Sequence, residues 1–138
     1  MFLLDTNVIS ELRKTTENKI NPGVKEWAET KMPSTMFLSV ITIFELELGI
    51  LRLERRDKKQ GQILRKWLSQ LVLPAFVDRV LPINTAIAVR SASLYIPNPS
   101  SDRDAMIAAT AIEHHLTLVT RNTVDFDLTK VKLINPWE

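Results

Sequence analysis

The chain begins Met1-Phe-Leu-Leu-Asp5-Thr-Asn-Val-Ile-Ser10, an apolar run that ends on a carboxylate and passes into polar residues with a helix-like pattern. A short buried strand that delivers a carboxylate at its C-terminal end belongs to open α/β sheets, whose ligands gather outside the carboxyl ends of the strands. That pattern makes two demands on the remaining residues. They must supply neighbouring strands, and they must bring further chemistry to the same sheet edge.

Neighbouring strands are predicted at residues 36–40, 80–83, 116–120 and 131–134, all short and apolar. Between them the spacing predicts helices over 7–14, 22–31, 42–56, 62–73, 85–94 and 102–115, with Pro22 in a first turn and Ser101 as a cap. The polar stretch 57–61 reads as the connection of a helical hairpin, and Pro74 as its stop. Residues 15–21 read as a loop. Ile96-Pro-Asn-Pro-Ser-Ser101 is a breaker segment. Strands alternating with helices imply a parallel sheet covered on both faces, with right-handed crossovers that bring the strand ends to one edge. The inserted hairpin is the departure from simple alternation.

At 138 residues and 45% hydrophobic content the chain suffices for one core and is too short for a second domain of ordinary size. Residues 1–138 are therefore expected to form a single domain. With no cysteine, disulfides, zinc–thiolate sites and thiol catalysis are excluded. The two histidines are adjacent, His114 and His115, at a helix C-terminus where they complement the helix dipole. The apolar N-terminus lacks a basic leader and no window approaches the roughly 18 apolar residues of a membrane span. A soluble, cytoplasmic protein is expected. The net charge of +2 is compatible with a nucleic-acid partner without requiring one.

Four acids stand beside strand ends or helix starts: Asp5, Glu45, Asp104 and Asp125, with Asp102 next to the third. In a parallel α/β layout all four fall on one edge. Carboxylates about 4 Å apart repel by about 4 kcal/mol per pair at an effective dielectric of 20, so such a cluster needs protons or cations. All-oxygen ligation favours Mg²⁺ or Mn²⁺, and open positions on the ion suit hydrolysis of a phosphodiester. Asn7, Ser10, Thr120 and Asn122 are placed to position a water or a phosphate. Each acid also has a plainer reading. Asp5 fits a turn ahead of a helix. Thr42 and Glu45 have capping-box spacing, and Asp104 stands three residues after Ser101. Asp102 fits a helix-start acid, and Asp125 fits a surface turn. Convergence of the four is what favours chemistry.

Leu3-Leu-Asp5-Thr-Asn7-Val-Ile-Ser10, Glu45-Leu-Glu-Leu-Gly49, Asp104-Ala-Met-Ile-Ala-Ala-Thr-Ala111 and Leu118-Val-Thr-Arg-Asn122 together resemble the ordered motifs of PIN-domain ribonucleases of the VapC/FitB toxin type. The resemblance runs over nearly the whole chain, to Asn135-Pro-Trp137. It implies a three-layer α/β/α PIN-like fold with a short, mainly parallel sheet of about five strands and an inserted hairpin. It also implies an Mg²⁺- or Mn²⁺-dependent endoribonuclease toxin, neutralised by a cognate VapB-like antitoxin and touching operator DNA through it, with a homodimer as the expected assembly and no membrane partner. Asp5, Glu45 and Asp104 match the family's principal acids and are the implied metal ligands. Asn122 stands where some relatives carry Asp, so Asp125 is the expected fourth catalytic acid, acting through water. Thr6 joins Asn7 and Ser10 as a supporting polar residue. The basic residues Arg52, Arg55, Arg56, Lys58, Lys59, Arg65 and Lys66 around the hairpin are either a solvated surface or a face for RNA or the antitoxin.

Two other classes fit parts of the pattern. A haloacid dehalogenase-like phosphatase would use Leu4-Asp-Thr-Asn7 at a strand end, but that chemistry wants a second Asp where Asn7 stands. A non-catalytic binding module would use the acidic edge for a partner.

Overall fold

A computed structural model describes residues 1–97 and 99–138, so of the breaker segment Asn98 lies outside the described residues. Five strands, β1 (Phe2–Leu4), β2 (Met36–Ser39), β3 (Val80–Leu81), β4 (Thr117–Val119) and β5 (Leu133–Ile134), form one sheet in the order β3-β2-β1-β4-β5. Every neighbouring pair is parallel, with Phe2 opposite both Met36 and Thr117. The strand carrying Asp5 is thus central. Strands β2 to β5 are each one or two residues shorter than predicted, the trimmed residues at their ends lying in the adjoining helix or loops.

Side chains alternate across this sheet as a two-residue period requires. Leu4, Leu38 and Val119 point to one face, where they pack with Val8 and Ile9 of α1 (Thr6–Leu12) and Leu46 and Ile50 of α3 (Val40–Arg56). Trp27 of α2 (Pro22–Glu29) borders the same cluster and meets Phe2 edge to face. Leu3 and Leu118 point to the other face, against Ile107, Ala108 and Ala111 of α7 (Asp102–Glu113). The alanines let α7 lie close to the sheet, and α6 (Thr85–Ser93) packs on α7 from outside, with Ile87 and Ser91 buried. Helices cover both faces, as expected. A short helical turn, Arg13–Glu17, runs on from α1 into the predicted loop, and another, Asp127–Thr129, follows the four-residue α8 (Thr123–Phe126).

The hairpin is tighter than its sequence suggests. Only Asp57 separates α3 from α4 (Lys58–Trp67), because its carboxylate caps the new helix by accepting from the Gln60 N–H at 3.2 Å. Residues 58–61, read as linker, are helical. Gly61 is buried at the crossing, where an added Cβ would come within 2.8 Å of Glu54 Cα. Arg65 of α4 then reaches back to Glu47 and Glu54 of α3. Beyond Trp67 the chain continues through a wide turn, Leu68–Val72, into α5 (Leu73–Ala75), so Pro74 sits within the helical end.

Among the described residues no helix is long and apolar enough to cross a membrane. The crossing at Gly61 makes a direct test. Gly61→Ala is expected to lower the unfolding free energy by about 1–3 kcal/mol, the usual cost of overpacking. Gly49→Ala, whose added methyl meets nothing within 4 Å, is expected to be neutral or stabilising. Urea unfolding of the two variants provides the comparison.

Candidate active site

Asp5 ends β1 and starts α1 at once. Its N–H donates to the Val119 carbonyl at 2.9 Å, adding a rung to the β1–β4 ladder, while its carbonyl accepts from Val8. Its side chain caps α1, accepting from the Thr6 N–H at 2.8 Å. The second carboxylate oxygen accepts from the Thr120 hydroxyl at 2.8 Å, and Asn7 Nδ2 approaches the same oxygen at 3.4 Å. Asn7 also reaches Thr120 Oγ1 and accepts from the Arg121 N–H, so it ties the α1 start to the end of β4. Thr120 and Asn7 thus brace the Asp5 carboxylate. Asn122 contributes its backbone, donating to Thr120 Oγ1 and accepting from the Asp125 N–H; its side chain caps nothing.

Glu45 corrects the capping reading. Helix α3 starts at Val40, two residues earlier than predicted, because Ser39 caps it by accepting from the Ile41 N–H at 3.0 Å. Thr42 is therefore a helical residue, fully buried, and its hydroxyl lies 3.3 Å from that of Thr6. Released from capping, Glu45 turns toward α1 and accepts from Thr6 Oγ1 at 2.6 Å. Thr6 joins two acids, one through its N–H and one through its hydroxyl.

Asp104 lies in the first turn of α7, where Ser101 caps the helix by accepting from the Asp104 N–H at 3.2 Å. Asp104 and Asp125 line one open cavity of about 390 Å³ with Leu94, Ser100, Ser101 and Val124. Asp102 points elsewhere: it accepts from the Tyr95 hydroxyl, so its expected supporting role at the acids is not seen. Ser10 is exposed in a groove with Thr6, Arg13, Glu45 and Arg56. His114 and His115 are at the far end of α7, about 18 Å along the helix from its start. Of the basic set, Arg52, Arg55, Lys58 and Lys59 are exposed, while Arg65 is committed to its two glutamates.

The electrostatics match the gathering of charge. Asp5 is pushed up from 3.8 to about 6, chiefly by burial, with Glu45 and Asp104 adding repulsion against the bonds from Thr120 and Thr6. Asp104 is also raised, first by burial and then by Asp125, with Ser101 and Arg103 pulling the other way. Asp5 therefore feels Glu45 and Asp104, and Asp104 in turn feels Asp125, although these acids come from distant segments of the chain. Among the described residues no three of them close to a metal-binding geometry. They are gathered at electrostatic range rather than in a finished cage. Sequence reading missed Arg103, which lies against Glu45, and Thr42, which backs Thr6. The three-residue spacing of Thr42 and Glu45 was visible and suggested a cap instead.

An open α/β/α sheet with four acids at its carboxyl edge defines a class of site suited to phosphodiester chemistry. The chain belongs to the PIN-domain family, whose model matches residues 2–132. It is 37% identical over 142 residues to toxin FitB of Neisseria gonorrhoeae, covering 99% of each chain. It is 36% identical over 143 residues to VapC ribonuclease Y4jK of Sinorhizobium fredii, covering 100% of this chain and 99% of that one. Among solved structures it is similar to FitAB bound to an IR36 DNA fragment, with a TM-score of 0.88 and 34% identity, over 100% of this chain and 96% of that one.

The raised Asp5 has a sign that can be tested. The folded chain holds this proton more tightly than the unfolded one, so between about 4 and about 6 stability falls as pH rises. Asp5→Asn carries no charge at any pH. Without divalent cations it is expected to exceed the unsubstituted chain by roughly 2–3 kcal/mol near neutral pH. The gap should close as pH falls through that window. Unfolding curves across pH check it, and a pH-independent gap would refute the raised value.

Proposed function

We propose that this chain is a divalent-metal-dependent endoribonuclease acting as the toxin of a toxin–antitoxin pair. The observation that carries the reading is the arrival of Asp5, Glu45, Asp104 and Asp125 from four segments at the carboxyl edge of the sheet, with Asp5 held near the neutral range. The ribonuclease and toxin names of relatives alike over full length support it. So does the structural likeness to FitAB on DNA, which points to a partner of the FitA or VapB kind and to operator contact through that partner. The phosphatase reading loses its footing, since Asn7 is spent as a brace among Asp5, Thr120 and Arg121.

The donor set fits Mg²⁺ or Mn²⁺: oxygens only, from carboxylates that burial and mutual repulsion leave short of positive charge. Asp5, Glu45 and Asp104 would hold the ion. When bound, such an ion lowers the pKa of water and draws charge from a phosphate. The chain's own groups set the geometry. Thr6 N–H and Thr120 hydroxyl fix both oxygens of Asp5, and Thr6 hydroxyl fixes Glu45. Asp125, exposed beside Asp104 on the same cavity, would take the proton of the attacking water. Water attacks phosphorus in line, the P–O3′ bond breaks and the departing O3′ takes a proton from solvent, so that 5′-phosphate and 3′-hydroxyl ends result. The whole chain acts as one PIN domain, working in the cytoplasm.

Cleavage of total RNA is expected to stop in chelator and to return with Mg²⁺ or Mn²⁺. Asp5→Asn and Asp104→Asn should each abolish cleavage and growth inhibition while keeping the fold; full activity in both would sink the mechanism. Thr6→Val leaves every acid in place and removes the hydroxyl that bonds Glu45 and meets the Thr42 hydroxyl. It is expected to cost about 10–100-fold in activity or metal affinity, as loss of a ligand's orienting partner usually does. Metal titration of the cleavage rate measures it.

A further inference from the structure

Arg103 stands between Asp102 and Asp104 in the first turn of α7, yet its side chain follows neither. It crosses to α3. There the guanidinium carbon lies 5.7 Å from the centre of the Phe44 ring, and Nη1 lies 3.7 Å from Glu45 Oε2. Arg103 is therefore joined by the chain to one acid of the site and by space to another.

The contact with Glu45 is an ion pair without a hydrogen bond, because 3.7 Å exceeds the reach of N–H···O bonding. Among the described residues the Arg103 side chain makes no hydrogen bond at all. Arg65, Arg79 and Arg90, by contrast, spend donors on Glu47 and Glu54, on backbone carbonyls and on Glu113. Stability does not explain the placement. With side-chain exposures of 46% and 24%, the Arg103–Glu45 pair is of the solvent-screened kind that adds little to folding. The aromatic face holds the guanidinium in place and leaves its edge donors free.

A phosphodiester approaching this edge meets four carboxylates of its own sign. It needs a cation beside the acids, with a fork of donors that matches two phosphate oxygens. Building on the ribonuclease reading above, we propose that Arg103 is a phosphate-positioning residue: anchored on Phe44 beside Glu45, it exchanges its loose contact with that carboxylate for a backbone phosphate of single-stranded RNA at the site. Phe44, more than half exposed for so large an apolar side chain, is then the platform that orients the fork.

The test separates positioning from general stability. In an Asp5→Asn background, which silences cleavage, binding of a short random-sequence single-stranded RNA pool is measured by fluorescence anisotropy over a salt series. Adding Arg103→Gln is expected to weaken binding several-fold and to reduce the slope of log K against log salt by about 0.7, the signature of one lost phosphate contact on a single strand. In the otherwise unsubstituted chain, Arg103→Gln should raise KM with an unchanged melting temperature. Arg103→Lys should restore the salt slope while recovering only part of the KM, since an ammonium has the charge without the fork. An unchanged slope and unchanged kinetics would leave Arg103 a surface partner of Glu45 and overturn the proposal. Faster cleavage by Arg103→Gln would overturn it too, marking the contact as a brake on Glu45. If the unsubstituted chain neither binds nor cleaves RNA with Mg²⁺ or Mn²⁺ present, the ribonuclease reading falls with it, an outcome distinct from the first two.

Discussion

The architecture turns on the buried carboxylate of Asp5. Its backbone completes the β1–β4 ladder and opens α1, so the strand cannot lengthen nor the helix shift without moving the acid. Burial disfavours its charge, and Glu45 and Asp104 disfavour it further. What permits the arrangement is that both oxygens are met by donors whose positions the fold fixes: an amide at a helix start and a hydroxyl at the end of the neighbouring strand. A parallel sheet supplies both at the same edge, which makes this fold a suitable carrier for the site.

From that anchor the other acids follow with decreasing rigidity. Thr6 couples Glu45 to the same helix start, using a short side chain backed by buried Thr42. Asp104 is held by its helix cap, and Asp125 hangs on a four-residue helix with its side chain in solvent. A site graded in this way keeps one ligand fixed and leaves others room to adjust. That suits a cluster of like charges, which protons or cations must neutralise.

The layering and the parallel order were legible because Leu3 and Leu4, or Leu118 and Val119, alternate in a way only a two-faced sheet can use. Asp5 was legible because an apolar run ending on an acid has few uses. Glu45 was harder. Its spacing from Thr42 gives the same pattern as a capping box, and only the real cap at Ser39 decides between them. The hairpin linker was misread for a related reason: Asp57 caps a helix whose first turn, Lys58-Lys-Gln60, looks polar enough for a loop. Only the family motif separates Asp104 from Asp102 in the sequence, and in the structure a contact with Tyr95 occupies Asp102.

Glu45 also shows how two holders of unlike strength divide a task. Thr6 bonds it at 2.6 Å through a neutral hydroxyl that competes weakly for an incoming cation. Arg103 stands at 3.7 Å with full charge and no hydrogen bond, so it lowers the repulsion among the acids while remaining easy to displace. A lysine-like point charge would do the first as well. The planar fork, stacked on Phe44, adds a fixed direction. In a chain whose net charge is only +2, the placing of single cations beside the acids matters more for binding a polyanion than the total. Orientation at the acidic edge is then a local property of α3 and α7.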